Sequence, residues 1–259
     1  YKSDSYPESC INYHNFFSIL FFDISSTIAE TLLLLISTFI KFCISSKKKY
    51  QFDKINYKIG HQVEKYNHFV NDCLNINTIA SKLIIHSEKK NKAGKRKLLG
   101  LNPGASYGNS KRWYPKEFAD VAFVLSNDYD IIIFGGPNEK DIAVDIEKYL
   151  IEKGVNNYIN LVAKTSIDEL INQIANLDLF ITGDSGPMHL AAAFQIPTVA
   201  IFGSTNDKET SQWMNENSMI VKKNLECKPC MSRECPLIHH NCMKLVHASD
   251  VLEAVKLLN

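Results

Sequence analysis

From Lys97 onward, short runs of four to six mostly apolar residues alternate with longer stretches in which apolar residues recur at helical spacing. The runs Lys97 to Asn102, Asp130 to Phe134, Tyr158 to Leu161, Leu179 to Thr182 and Thr198 to Phe202 read as strands. Pro115 to Ser126, Glu139 to Lys153, Ser166 to Ala175, Met188 to Phe194 and Ser249 to Leu258 read as helices. Near-continuous apolar strands separated by helical segments imply a parallel sheet with both faces covered. The fold class expected is α/β, with one complete Rossmann-type domain over 97–259.

Upstream the pattern is less regular. An apolar run, Phe16 to Phe22, ends in Asp23-Ile24-Ser25-Ser26-Thr27, a strand followed by a helix N-cap signal, and a leucine-rich helix follows. Ile28 to Ile44 is the candidate membrane span, but it contains Glu30 and Lys41 and lies at the short end of the ~20 residues that crossing requires. It reads as a buried helix. His61 to Leu74 forms a second helix, with Val63, Tyr66, Phe69, Val70 and Leu74 on one face, and Ser87 to Arg96 reads as a linker. Residues 1–90 are therefore expected to be a partial N-terminal domain.

A chain of 259 residues with a formal charge of +1 offers no electrostatic case for nucleic acid. Lys47-Lys48-Lys49 reads as a solvated turn whose position after an apolar stretch leaves membrane-surface contact open. Seven cysteines, an odd number, and no cleavable leader pattern point to a cytoplasmic protein without a disulfide framework.

Two segments carry chemistry. Asn102-Pro103-Gly104-Ala105-Ser106-Tyr107-Gly108-Asn109-Ser110-Lys111-Arg112-Trp113 and Asp184-Ser185-Gly186-Pro187-Met188-His189 each follow a predicted strand and precede helix-compatible sequence. A parallel sheet presents backbone N–H groups to an anion at such junctions. Lys111 offers a point charge, and Gly186-Pro187 suits a tight bend into a helix start, where the dipole favours negative charge. Asp184 is either a sugar-hydroxyl acceptor or simply the N-cap, and His189 either a phosphate donor or a packed helix residue. Glu139, after Phe134-Gly135-Gly136, can accept ribose hydroxyls or merely complement a helix dipole. Cys227-x2-Cys230-x4-Cys235-x6-Cys242, beside His239 and His240, has the residue types of a structural zinc site, the alternative being reduced thiols that pack a loop. The terminal Gly-Lys-Ser/Thr of a phosphate-hydrolase loop and the Gly-x-Gly-x-x-Gly fingerprint are missing, which argues against an NTPase and a dehydrogenase.

These two loops, together with Ile131 to Gly136, Val199 to Thr205 and the tail from Cys227 to Cys242, resemble glycosyltransferase family 9, and within it the bacterial ADP-heptose:lipopolysaccharide heptosyltransferases of type II. The resemblance implies a GT-B-like fold and inverting transfer of heptose from ADP-L-glycero-D-manno-heptose to the lipopolysaccharide inner core, a heptosyl-Kdo-lipid A acceptor. It implies no required cofactor and a cytoplasmic enzyme peripheral to the inner membrane. By the same resemblance Ser106, Lys111, Glu139, Asp184, Ser185, Gly186, Pro187, Met188 and His189 form the donor site. Members of this family open with a Gly-Asp loop whose Asp is the proposed base. No counterpart precedes Phe16 to Asn75, so the chain is expected to be truncated or degenerate at its N-terminus, and the catalytic base is unassigned. A non-catalytic nucleotide-sugar-binding remnant and a sugar-nucleotide epimerase of GT-B fold are the other readings.

Overall fold

The structure, a computed structural model, describes residues 52, 57, 60–87 and 96–258. The predicted strand at Phe16 to Phe22, the leucine-rich helix and the centre of the linker lie outside them. All elements named below belong to one compact unit, Phe52–Leu83 with Ser87–Asn259, whereas Ile84–His86 belong to a second unit with Tyr1–Gln51. The helix read at His61 to Leu74 thus sits in the same unit as the sheet.

Helix α1 (Gln62–Leu74) starts at His61, whose ring accepts the Val63 N–H while Glu64 reaches back to the His61 N–H, a reciprocal cap that satisfies two otherwise orphaned donors. Then come β1 (Lys97–Asn102), α2 (Pro115–Leu125), β2 (Tyr129–Ile133), α3 (Lys140–Glu152), β3 (Tyr158–Asn160) and α4 (Ile167–Ala175). They are followed by β4 (Leu179–Gly183), α5 (Gly186–Ala193), β5 (Thr198–Ile201), α6 (Asp207–Thr210), β6 (Ser218–Val221), α7 (Asn241–Lys244) and α8 (Ala248–Leu258). Single 3-10 turns at Asn109–Lys111 and Pro137–Glu139 precede α2 and α3.

The six strands form one parallel sheet in the order β3-β2-β1-β4-β5-β6. Its register sets Leu101 opposite Ile133 on one side and Ile181 on the other. Alternation along the strands divides the core. Leu99, Leu101, Ile131, Ile133, Ile181 and Ile201 face Phe118 and Val121 of α2, Ile146 and Leu150 of α3, and Val251 and Val255 of α8. Ile132, Phe134 and Phe180 face Ile174 of α4 and Ala191 of α5 on the opposite side. Strand order reverses between β1 and β4, the outward chain path splitting there, and a crevice opens beyond the carboxyl ends of the two strands.

Within the described residues the predicted elements reappear with their ends shifted by at most two residues. Strand β6 and the short helices α6 and α7 are additions. The first turn of α5 also extends two residues further toward the N-terminus than expected, to Gly186. Among the described residues no helix is long and apolar enough to cross a membrane.

Candidate functional site

The crevice at the β1–β4 junction is a cleft of about 450 Å³. The loop after β1 forms one wall. It is held from behind: the Ser110 N–H donates to the Arg233 carbonyl over 3.0 Å, and the Ser110 hydroxyl meets that of Ser204 at 2.9 Å. At Gly108 a Cβ would stand 2.3 Å from the Arg233 carbonyl oxygen, so only glycine allows the tail segment this close. The loop's cation is thereby aimed inward. Lys111 Nζ lies 2.6 Å from Asp184 Oδ2, and Thr205 donates to the same oxygen from 2.7 Å. Lys111 also sits over the Tyr107 ring, 4.8 Å from its centre.

The second wall is the β4–α5 junction. Ser185, the N-cap of α5, makes no side-chain bond to the helix start. Its hydroxyl is instead in contact with Asn102 Nδ2 at 3.0 Å and Thr182 Oγ1 at 3.1 Å. Pro187 has no N–H and the Met188 N–H bonds the Ser185 carbonyl over 3.1 Å, so the helix start offers the cleft the Gly186 N–H and the positive end of its dipole. His189, one turn on, also lines the cleft. Burial pushes its imidazole below the ordinary histidine range, Asp184 pulls it back up, and His61 and Lys111 push it down again.

Glu139 completes the wall below β2. It is buried, and its Oε2 accepts the Gly136 N–H over 2.6 Å while Oε1 lies 3.2 Å from the Arg112 guanidinium. Glu139 thus caps the 3-10 turn before α3 and also lines the cleft. Thr165, Ser166 and Leu170, at the start of α4, line the same cleft.

Of the nine donor-site residues expected from sequence, Ser106, Lys111, Glu139, Asp184, Ser185, Gly186, Pro187 and His189 line this one cleft. Met188 does not. Its side chain is fully buried against Ala200 and Phe202, because successive helical residues are turned by about 100° and the residue after Pro187 faces the sheet. The reading of Asp184 as N-cap is also displaced, since Ser185 holds that position and Asp184 is ion-paired. Sequence reasoning passed over Asn102, Tyr107, Arg112 and Thr205. Asn102 and Thr205 belong to the quoted motifs, but their contacts arise from strands far apart in sequence.

Cys227, Cys230, Cys235 and Cys242 all border one small pocket of about 20 Å³ under the loop. Among the described residues no three His, Cys, Asp or Glu side chains are grouped so as to hold a metal ion. The neighbouring histidines are otherwise engaged. His240 contacts the Ser110 carbonyl and the Tyr114 hydroxyl through its two ring nitrogens, each at 3.2 Å, and His239 Nδ1 accepts the Asn241 N–H. Burial pushes the Cys242 thiol up, favouring its protonated form, though Lys228 opposes this.

A profile of glycosyltransferase family 9 (heptosyltransferase) matches residues 34–240. Lipooligosaccharide heptosyltransferase 2 of Campylobacter jejuni serotype O:2 is 44% identical over 227 residues, which span 85% of this chain and 70% of that protein. The serotype O:6 counterpart is 43% identical over 86% of this chain and 72% of its own length. Among solved structures, Escherichia coli ADP-heptose lps heptosyltransferase II superposes with a TM-score of 0.66 at 22% identity, covering 80% of this chain and 64% of the other. At that identity the likeness is one of fold, the GT-B-like α/β class.

Proposed function

This chain belongs to glycosyltransferase family 9, the heptosyltransferases, and from that membership we propose that it transfers heptose from ADP-L-glycero-D-manno-heptose, with inversion, to a heptosyl-Kdo-lipid A acceptor. The observation that carries the proposal is the convergence of Lys111, the start of α5 and Glu139 on one cleft at the strand-order reversal. It supports a nucleoside diphosphate lying across the β1–β4 crevice. Its phosphates face the α5 start and Lys111, and its ribose faces Glu139. The sheet domain over 97–259 is the donor side in this reading, and the acceptor side lies in residues 1–90.

Chemically, the bond from the anomeric carbon to the diphosphate oxygen breaks as the acceptor oxygen attacks from the opposite face. Charge grows on the departing ADP, where preorganised N–H dipoles and an ammonium lower the barrier most. Asp184 is paired with Lys111 and takes a sugar hydroxyl once the ammonium turns to the phosphates. No described residue is assigned as the base that accepts the acceptor's proton. Since that acceptor is lipid-anchored, the protein would work at the cytoplasmic face of the inner membrane, held there peripherally.

The tail cysteines serve in this reading as reduced thiols supporting the donor loop, rather than as a zinc clip. That no three His, Cys, Asp or Glu side chains among the described residues are grouped to hold a metal supports it. Zinc near one per chain, by elemental analysis of protein purified without chelator, would reverse that choice.

Calorimetric titration with ADP, UDP and GDP, followed by measurement of ADP release with and without heptosyl-Kdo-lipid A, tests the main reading. ADP should bind best and its release should require the acceptor. Equal affinity for the three nucleotides would remove the donor assignment, and ADP binding without acceptor-dependent release would favour the non-catalytic remnant.

A further inference from the structure

We propose that Arg112 is a positioning residue that fixes the Glu139 carboxylate for the two vicinal hydroxyls of a ribose, an inference that rests on the reading of this cleft as a nucleoside diphosphate site.

Glu139 is 5% exposed, yet it forms part of the cleft wall. A carboxylate so placed is held by what surrounds it. The Gly136 N–H fixes Oε2 from 2.6 Å, and the Arg112 terminal nitrogen approaches Oε1 at 3.2 Å. The third constraint is steric. A Cβ at position 104 would lie 2.2 Å from Glu139 Cγ, so glycine there lets the glutamate stem lie against the end of β1. Each carboxylate oxygen has two acceptor directions. With one taken on each oxygen, one remains on each, side by side at fixed orientation, and that pair matches a vicinal diol better than a single hydroxyl.

Arg112 does not line the cleft, so its influence passes through Glu139. Its own arrangement also points to that task. Arg112 Nε is buried with no hydrogen-bond partner among the described residues. Burying an unpaired N–H is unfavourable, and a guanidinium placed only for its own satisfaction would not be held this way. Moreover, Arg112 is the C-cap of the 3-10 turn that carries Lys111, its N–H bonded to the Asn109 carbonyl over 3.0 Å. One turn therefore sets the cation expected at the phosphates and, through its next residue, the carboxylate expected at the ribose. Any shift of that turn moves both together.

The test compares ADP with 2′,3′-dideoxy-ADP, which lacks both hydroxyls, by calorimetry on the full chain and on its Arg112→Gln and Arg112→Lys variants. Wild type should favour ADP by roughly tenfold or more, the scale of hydrogen bonds to a charged group. Arg112→Gln should lose most of that preference: ADP affinity falls to near that of the dideoxy nucleotide, which itself changes less than about twofold. Arg112→Lys, which restores charge without the planar fork, should recover part of the ratio. An equal loss of affinity for both nucleotides would mean that Arg112 only supports the fold and would overturn the proposal. If Arg112→Gln fails to give folded protein, the ratio for Arg112→Lys decides, a reduced value supporting the assignment and a full wild-type value overturning it. Wild-type protein that binds ADP no better than its dideoxy analogue would refute the ribose reading itself, a failure separable from the others because it appears before any variant is made.

Discussion

Lys111 and Asp184, 73 residues apart in sequence, are joined by a 2.6 Å contact across the ends of β1 and β4, with only 12% and 5% of their side chains exposed. Both residues line the cleft, and the contact fixes where the ammonium stands. Being largely buried, it behaves differently from a surface ion pair: removing one partner leaves the other desolvated and uncompensated.

Lys111→Ala should therefore destabilise the protein, toward the lower end of the about 3–5 kcal/mol typical of a broken buried pair, since Thr205 still donates to Asp184. It should also weaken ADP binding by roughly tenfold to a hundredfold. Asp184→Asn removes the competing anion, and ADP should bind it several-fold more tightly than it binds the parent. Urea denaturation and calorimetry read both effects. A Lys111→Ala protein with parental stability and parental ADP affinity would show that the pair serves neither purpose.

How far these relationships can be read without coordinates depends on how local they are. The strands β1, β2, β4 and β5 were legible because both faces are buried and the apolar run marks them. Strand β6 was not, for Ser218, Met219 and Ile220 are only half-buried and it owes its existence to pairing with β5. The two donor loops were legible as strand-to-helix junctions, but the Lys111–Asp184 contact requires β1 and β4 to be neighbours, which no local pattern states. Met188 was drawn into the site by its place in a contiguous motif, although a helix start cannot turn every residue to one side. Arg112 drew no attention beside Lys111, since its task depends on Glu139, 27 residues later.

Buried His61 and half-buried His189 should give the fold a pH dependence. Burial pushes His189 below its ordinary value of 6.5, with Asp184 opposing and His61 and Lys111 adding to the shift. His61 is lowered chiefly by burial as well, against the raising effects of the Ser211 carbonyl and Glu64, with Lys65 again lowering it. Between the folded values and 6.5 the unfolded chain binds protons that the folded protein does not, so stability rises with pH there. The stabilisation is present above about pH 6.5 and is lost as pH falls through the folded values, by at most about 1.4 kcal/mol per pH unit for each group. Denaturation at pH 7.5, 6.5 and 5.5 should follow this slope, with His61→Gln and His189→Gln each flattening it. A slope in that window unchanged by either variant would assign the dependence elsewhere. Asp120 and Asp250, whose pKa values their lysine partners lower, act only in the carboxylate range below it.

Gly100 and Gly104 sit four residues apart on β1 and the loop it feeds, and the same substitution should separate fold from site. At Gly100 a Cβ would come 2.5 Å from Leu177 Cδ1 and 2.6 Å from Phe180 Cδ2, with Phe134 at 3.1 Å. These rings and branches are themselves packed in the core beneath α4 and α5, so the extra methyl should cost about 1–3 kcal/mol as overpacking. None of Leu177, Phe180 and Phe134 lines the cleft, and ADP affinity measured on folded protein should stay close to parental. At Gly104 the obstacle is Glu139 Cγ at 2.2 Å and Cδ at 2.7 Å. A side chain at a cleft wall can move aside, and in doing so it surrenders the Gly136 and Arg112 contacts that orient its carboxylate. Gly104→Ala should thus lose less stability than Gly100→Ala but weaken ADP binding by roughly tenfold, in line with the loss of one or two charge-assisted hydrogen bonds. The reverse ranking, with ADP binding impaired at position 100 and intact at position 104, would separate Glu139 from nucleotide recognition and leave Lys111 and the α5 start to carry the donor alone.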